Sequence, residues 1–465
     1  MALNLYNTLT KKVEVFKPLQ KDYVGVYTCG PTVYSYATIG NWRTYTLSDV
    51  LVRTLAYNGY NVKYYMNLTD VGHLTGDNTG DADTGEDRME KAKKSEGKNA
   101  WDIALFYTAD FLDGCKKLNI NDPTAWLKAT SYIPEQIALV QKLYDNGLAY
   151  QIDDGVYFDT VAYEAKGFHY GELSNLDHIK AGARVEYNTE KKNPRDFALW
   201  KLSPKGEKRD MEWESPWGVG FPGWHIECSA MSMKFLGEQF DIHIGGEDLK
   251  STHHPNEIAQ SQGATGVSPF VKYWIHGAFL QVDGGRMGKS LGNAYTIADI
   301  GKKDINPLAL RYFYLLGHYS SQINFSWEAL IGTDNALKHL HSLFLELGDE
   351  VGKINTEYKN KFTDYINDNL DTSKAVALVW EILKDKDIND ADKKATLLDF
   401  DKILGLGLAS LKEEVIPAEI SELVKKRNLA REEKNWSLAD ELREEIEKMG
   451  YKVKDSDNET VVSKI

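Results

Sequence analysis

A split parallel-sheet α/β domain with an inserted subdomain, followed by all-helical C-terminal domains, is the architecture this 465-residue chain predicts. Three observations carry that reading. The sequence opens on a strand-turn-helix-strand run, β-like and tryptophan-rich segments break its middle, and beyond Asn306 the pattern turns almost wholly helical.

The opening strand holds Val24, Val26 and Tyr27 and runs into Cys29-Gly30-Pro31. After Gly40, the residues Leu47, Val50, Leu51 and Leu55 share one helical face, and Gly59 is placed to end that helix. "NVKYYMNLTD" reads as the next strand, which completes a βαβ unit and starts a doubly wound sheet. The stretch "HLTGDNTGDADTGED" has no apolar period and reads as an acidic loop over 74–88. From Trp101 to about Tyr150 the pattern is helical. Residues 151–225 differ in character, with "GVYFDT", "TEKKNPRD" and "MEWESPWGVGFPGWH", and read as an insertion that splits the sheet. "FDIHIGG" and "YWIHGAFLQVDG" supply the strands that complete it. The last helix carries a capping-box pattern from Ser437 to Asp440 and stops at Gly450.

Composition narrows the class. With 42% hydrophobic and 27% charged residues the chain is a globular protein of several domains. Neither a signal-peptide pattern nor a run of ~20 apolar residues is found, so the cytoplasm is the expected compartment and no membrane partner is expected. Three cysteines, Cys29, Cys115 and Cys228, exclude a disulfide framework and leave room for a thiolate metal site. A net charge of −14 gives no global basic field, so a nucleic-acid partner requires local patches.

Two constellations carry chemistry. Cys228 lies in "PGWHIECSAM", shortly before "GGEDLKSTHHPNEIAQS", where Pro255 suits the first turn of a helix. His253 just before that helix and Glu257 in its first turn can face one ion, with Cys29 and Cys228 arriving from other strand ends. The alternative from spacing alone is two buried apolar cysteines and a solvated helix start. "DGGRMGKSLGN" places two glycine turns around a Lys-Ser pair directly after a strand, which suits a mobile loop that carries an ammonium group to a polyphosphate. It lacks P-loop spacing, and a surface hairpin is the alternative.

In this order, "CGPTVYSYATIGN", "GWHIECSAM", "HHPNEIAQS" and "RMGKSLGN" resemble cysteinyl-tRNA synthetase, a class I aminoacyl-tRNA synthetase. "AGARVEYN", "NPRDFALWK" and "ADELREEIEKMG" extend the likeness over essentially the whole chain. The resemblance implies a split Rossmann-type catalytic domain, with the HIGH signature at Thr38-Ile39-Gly40-Asn41 and the KMSKS loop at Arg286-Met287-Gly288-Lys289-Ser290. It implies catalytic roles for Thr38, Gly40, Asn41 and Lys289, and ATP contacts by Gly246, Asp248, Met287, Lys289 and Ser290. One Zn2+ per chain is implied at Cys29, Cys228, His253 and Glu257, with Cys29 and Trp224 beside the substrate cysteine.

Zinc would answer why a thiol stands at this strand end. An apolar pocket separates cysteine from serine poorly, whereas zinc prefers a thiolate to a hydroxyl. The implied partners are L-cysteine, ATP with Mg2+, and tRNA(Cys), the last engaged by a C-terminal helix with Lys425, Lys426, Arg427, Arg431 and Lys434. The sequence leaves the assembly state open, a monomer being compatible with it.

The implied divisions are a first catalytic half over 1–120, a connective subdomain over 121–224 and a second half over 225–304. A helical stem-contact region over 305–355 and a helical anticodon-binding domain over 356–465 follow. This chain departs from the family pattern at Thr38, where a histidine is usual, at Gly288, and after Asp70. Two other readings stay open: a catalytically impaired paralogue that binds cysteine, ATP or tRNA, and a ligase that joins cysteine to an amino sugar.

Overall fold

Five strands, the central ones buried on both faces, pair in parallel in one sheet: 271–277, 240–246, 24–28, 62–68 and 125–128, in that spatial order. The computed structural model describes residues 2–72, 88–174, 189–204, 206, 208–223, 225–288, 291–412, 417–455 and 460–464. The acidic loop, apart from Arg88, and "AGARVEYN", Trp224, Lys289 and Ser290 lie outside the described residues.

Val24–Thr28 is buried at every position, as a strand covered on both faces must be. From it the chain winds outward through Val62–Leu68 to Ala125–Lys128, and it later returns to the other side with Phe240–Gly246 and Val271–Gly277. The winding direction therefore reverses beside the first strand, and the crevice at the carboxyl ends of 24–28 and 240–246 is where such sheets bind ligands. Cys29 follows that strand end directly.

The expected Ile39–Tyr57 helix is present, and Gly59 turns the chain beyond it with φ +86°. The segment from Trp101 to Tyr150 is not helical throughout. Helices Ala100–Lys117 and Ile133–Asp145 flank the edge strand Ala125–Lys128, because pairing with Val62–Leu68 outweighs the helix-forming residues of a segment too short to display a period. The insertion forms an antiparallel sheet in the order 149–152, 155–158, 197–202 and 220–222. Asp196, from "NPRDFALWK", ties it together by accepting hydrogen bonds from Tyr150, Asn193 and Thr160.

Leu280–Val282 pairs with Gly285–Arg286 on one side and with Ile323–Phe325 on the other, and so carries the 286–288 segment. Residues 1–409 form one compact unit and 410–465 a second, so the expected block 356–465 spans both. In the second unit, helices Ala418–Glu432 and Trp436–Lys448 enclose Ile420, Leu423, Leu442 and Ile446. The last helix starts two residues earlier than the Ser437 pattern implies, because the Asn435 side chain caps it by accepting from the Leu438 N–H. A hairpin of Tyr451–Asp455 and Thr460–Lys464 adds two strands that the sequence reading did not include. Among the described residues, no helix is long and apolar enough to cross a membrane.

Candidate active site

Register explains how the cluster assembles. Tyr27, His243 and Trp274 are direct neighbours across three parallel strands, so their side chains share one face of the sheet. Two residues further along the same face come Cys29 and His276. Helix His253–Thr265 covers this face, with His253 and Glu257 one turn apart. Cys228 enters from the first turn of Ile226–Leu236.

Ligand atoms of Cys29, Cys228, His253 and Glu257 all lie within 4.8 Å of one another, and all four residues are buried. The two sulfurs are 3.9 Å apart, and Glu257 Oε1 lies 3.5 Å from Cys29 Sγ and 3.0 Å from His253 Nε2. Two sulfurs, one nitrogen and one oxygen at these separations suit a tetrahedral cation. The electrostatics agree. Burial and the neighbouring Cys228 push the Cys29 thiol well above its ordinary range, so an added positive charge is what would favour thiolate there. Burial would raise the Glu257 carboxyl, but His243 and His253 overcome it and hold it at about 2.

The sequence reading missed the histidines around this set. His243 Nε2 is 2.9 Å from Glu257 Oε2, and His254 Nε2 is 3.4 Å from Cys29 Sγ, so Cys29, His243, His254 and Glu257 form a second overlapping group. His225, at the strained φ of +88°, places Nδ1 2.6 Å from His253 Nδ1. Alternation along "FDIHIGG" and "YWIHG" was the available signal, since it puts His243 and His276 on the face that holds Cys29.

Thr38 precedes the Ile39–Tyr57 helix. Its N–H and hydroxyl both donate to Asn41 Oδ1, at 2.9 and 2.8 Å. The hydroxyl is thereby engaged within the turn. Asn41 is exposed in the first turn of the helix, a position that favours anions. Gly40 faces Met287, and Asn293 closes the base of the loop by accepting from the Gly288 N–H and donating to the Arg286 carbonyl. A Cβ on Gly246 would lie 2.4 Å from Asp248 Oδ1, so a larger residue there would displace the Asp248 carboxylate. Asp248 is exposed on the turn that follows the 240–246 strand. Of the five basic residues expected along one helix, Lys434 lies beyond its end at Glu432, in the turn before the last helix, and the five divide in two. Arg427 is buried and forms a bidentate pair with Asp455, which Arg431 joins, whereas Lys425, Lys426 and Lys434 are exposed.

Residues 15–335 match the class I (C) tRNA synthetase catalytic domain family, and residues 414–462 match the cysteinyl-tRNA ligase anticodon binding domain. "Cysteine--tRNA ligase 1" of Burkholderia lata is 43% identical over 98% of this chain and 96% of its own length. "Cysteine--tRNA ligase" of Treponema denticola is 41% identical over 100% of both. Among solved structures, Mycobacterium tuberculosis methionyl-tRNA synthetase in complex with methionyl-adenylate aligns with a TM-score of 0.54 at 14% identity, covering 83% of this chain and 90% of that one. The Agrobacterium radiobacter K84 LeuRS ternary complex aligns at 0.59 and 11%, covering 83% of each, and both likenesses concern the fold alone. By these full-length matches the chain belongs to the cysteinyl-tRNA synthetase family of class I aminoacyl-tRNA synthetases.

Proposed function

We propose that the chain activates L-cysteine with ATP to cysteinyl-adenylate and transfers the cysteinyl group to tRNA(Cys). The observation that carries this reading is the convergence of Cys29, Cys228, His253 and Glu257 at the strand end from which the chain turns into the Thr38–Asn41 helix start. Zn2+, held by those four residues, supplies the preference for a thiol over a hydroxyl.

The amino-acid carboxylate attacks the ATP α-phosphate, and pyrophosphate leaves. The helix N-terminus at Gly40 and Asn41 favours the anionic phosphates, and Lys289 with Ser290 meets the charge that develops on them. Gly246 and Asp248 contact the ATP ribose in this reading, and Met287, which lies against Gly40, contacts the nucleotide from the loop. Mg2+ accompanies ATP. The anticodon-binding match over 414–462 favours tRNA over an amino sugar as acceptor.

Cysteine-dependent ATP-pyrophosphate exchange, with serine as control, tests the activation step. Exchange with cysteine and little with serine is expected. Its absence would leave the impaired paralogue as the better reading.

A further inference from the structure

The Arg43 guanidinium, 4% exposed, binds five main-chain carbonyls. Nη1 donates to Ala278 at 2.8 Å and Phe279 at 2.9 Å. Nη2 donates to His318 at 3.1 Å, Tyr319 at 3.4 Å and Ser321 at 2.5 Å. A planar fork with five N–H donors can span two segments in this way, whereas a lysine ammonium on its flexible stem cannot.

The two segments have something in common. Residues 278–279 lead into Leu280–Val282, and 318–321 lead into Ile323–Phe325, and these strands pair in parallel. Leu280–Val282 also pairs with Gly285–Arg286, the strand that delivers Met287. Arg43 itself lies one turn beyond Ile39. There a second tie occurs, because the Tyr314 hydroxyl donates to the Ile39 carbonyl. Arg43 thus joins the helix that begins at the Thr38–Asn41 turn to the two segments that feed the sheet carrying 286–288, and Tyr314, from the Leu308–Leu315 helix just before residues 318–321, holds the start of the same helix; neither side chain has a place in the chemistry derived above.

We propose that Arg43 and Tyr314 are positioning residues for adenylate formation, which set the separation between the Thr38–Asn41 turn and the 286–288 segment. The inference rests on the reading that these two segments meet ATP. Cys29, Cys228, His253 and Glu257 belong to other elements, so loosening this tie leaves cysteine capture intact.

The test compares Arg43→Lys and Tyr314→Phe with the parent by single-turnover adenylate formation, equilibrium cysteine binding, metal content and circular dichroism. An inactive parent would refute the functional reading, not this one. With an active parent, Arg43→Lys is expected to slow adenylate formation by about 100-fold and Tyr314→Phe by about tenfold, because a misplacement of about 1 Å is worth roughly that much. Cysteine affinity stays within about twofold, a split that a general loss of structure would not give. Rates within about threefold of the parent, or cysteine affinity lost in proportion to rate, would overturn the proposal. If Arg43→Lys does not fold, Tyr314→Phe decides by the same criteria.

Discussion

Gly40 and Met287 approach so closely that a methyl group on residue 40 would lie 2.3 Å from the Met287 Cε. The atom met is the end of a flexible side chain, so an added methyl displaces Met287 and leaves the fold in place. Gly40→Ala is therefore expected to slow adenylate formation by about tenfold or more, with the melting temperature nearly unchanged. Thermal melts beside single-turnover rates check this, and a folded variant at the parent rate would show that the 286–288 segment yields without cost.

Elemental analysis of the purified protein is expected to find one zinc per chain. Cys228→Ser should then weaken cysteine binding by about tenfold or more and ATP binding far less, because it alters the donor set and leaves the helix N-terminus whole. Equal losses for both substrates would indicate a metal that only supports the fold.

Much of this site was legible because it depends on strand ends and helix starts. Cys29 follows an apolar run, and Pro255 marks a helix near His253, so their convergence is a matter of topology. His243 and His276 were less visible, since their shared face depends on which strands become neighbours, and that is set by packing across more than 200 residues of chain, while His254 reaches Cys29 only because its helix covers that face. The Ala125–Lys128 strand was hidden for the same reason. The five carbonyl partners of Arg43 left no trace at all in the sequence, because main-chain atoms are common to every residue.

Tyr57 and Asp399 join the first helix to the Asp390–Leu404 helix through a hydrogen bond of 2.6 Å. Burial opposes ionisation of Asp399, but hydrogen bonds from Lys402 and Tyr57 outweigh it and hold the carboxyl below its ordinary value. A carboxyl depressed by folding stabilises the protein above the unfolded value of about 3.9, and that contribution fades as the pH falls through the lower folded value. Tyr57→Phe should cost about 1.5–3 kcal/mol near neutrality, as the loss of a bond to a charged group. The gap in melting temperature between variant and parent should hold down to about pH 5 and narrow as the pH falls further, below about 3.9. A constant gap would mean that packing, not the charge, sets the loss.

Deleting residues 410–465 removes one compact unit and leaves the other. Cysteine activation by the truncated protein should stay close to the parent, while tRNA charging falls sharply. Exposed Lys425, Lys426 and Lys434 go with that unit, and so does much of its salt-sensitive attraction for RNA. Pyrophosphate exchange and charging, measured side by side, decide the point; normal charging by the folded truncation would place tRNA recognition elsewhere.

Thr38 stands at the first position of the HIGH signature, and its hydroxyl donates to Asn41 Oδ1 at 2.8 Å. A donor spent within the turn gives little to a phosphate, and losing one donor to charge that develops in a transition state typically costs ~10²–10³ in rate. Thr38→His gives up the hydroxyl bond but keeps the main-chain bond to the same Asn41 oxygen, 2.9 Å long, so the start of the helix survives. Against this stands the site's small volume: Thr38 is 8% exposed and bridges to Thr296 across an antiparallel contact. Asn41, exposed in the first turn of that helix, marks the side toward which an imidazole must turn. Adenylate formation should therefore rise by about tenfold or more with cysteine affinity nearly constant, the pattern of a contact made mainly in the transition state. Single-turnover rates for both proteins at saturating cysteine and ATP measure it. A folded Thr38→His protein with no gain would mean that another donor already fills the histidine's role.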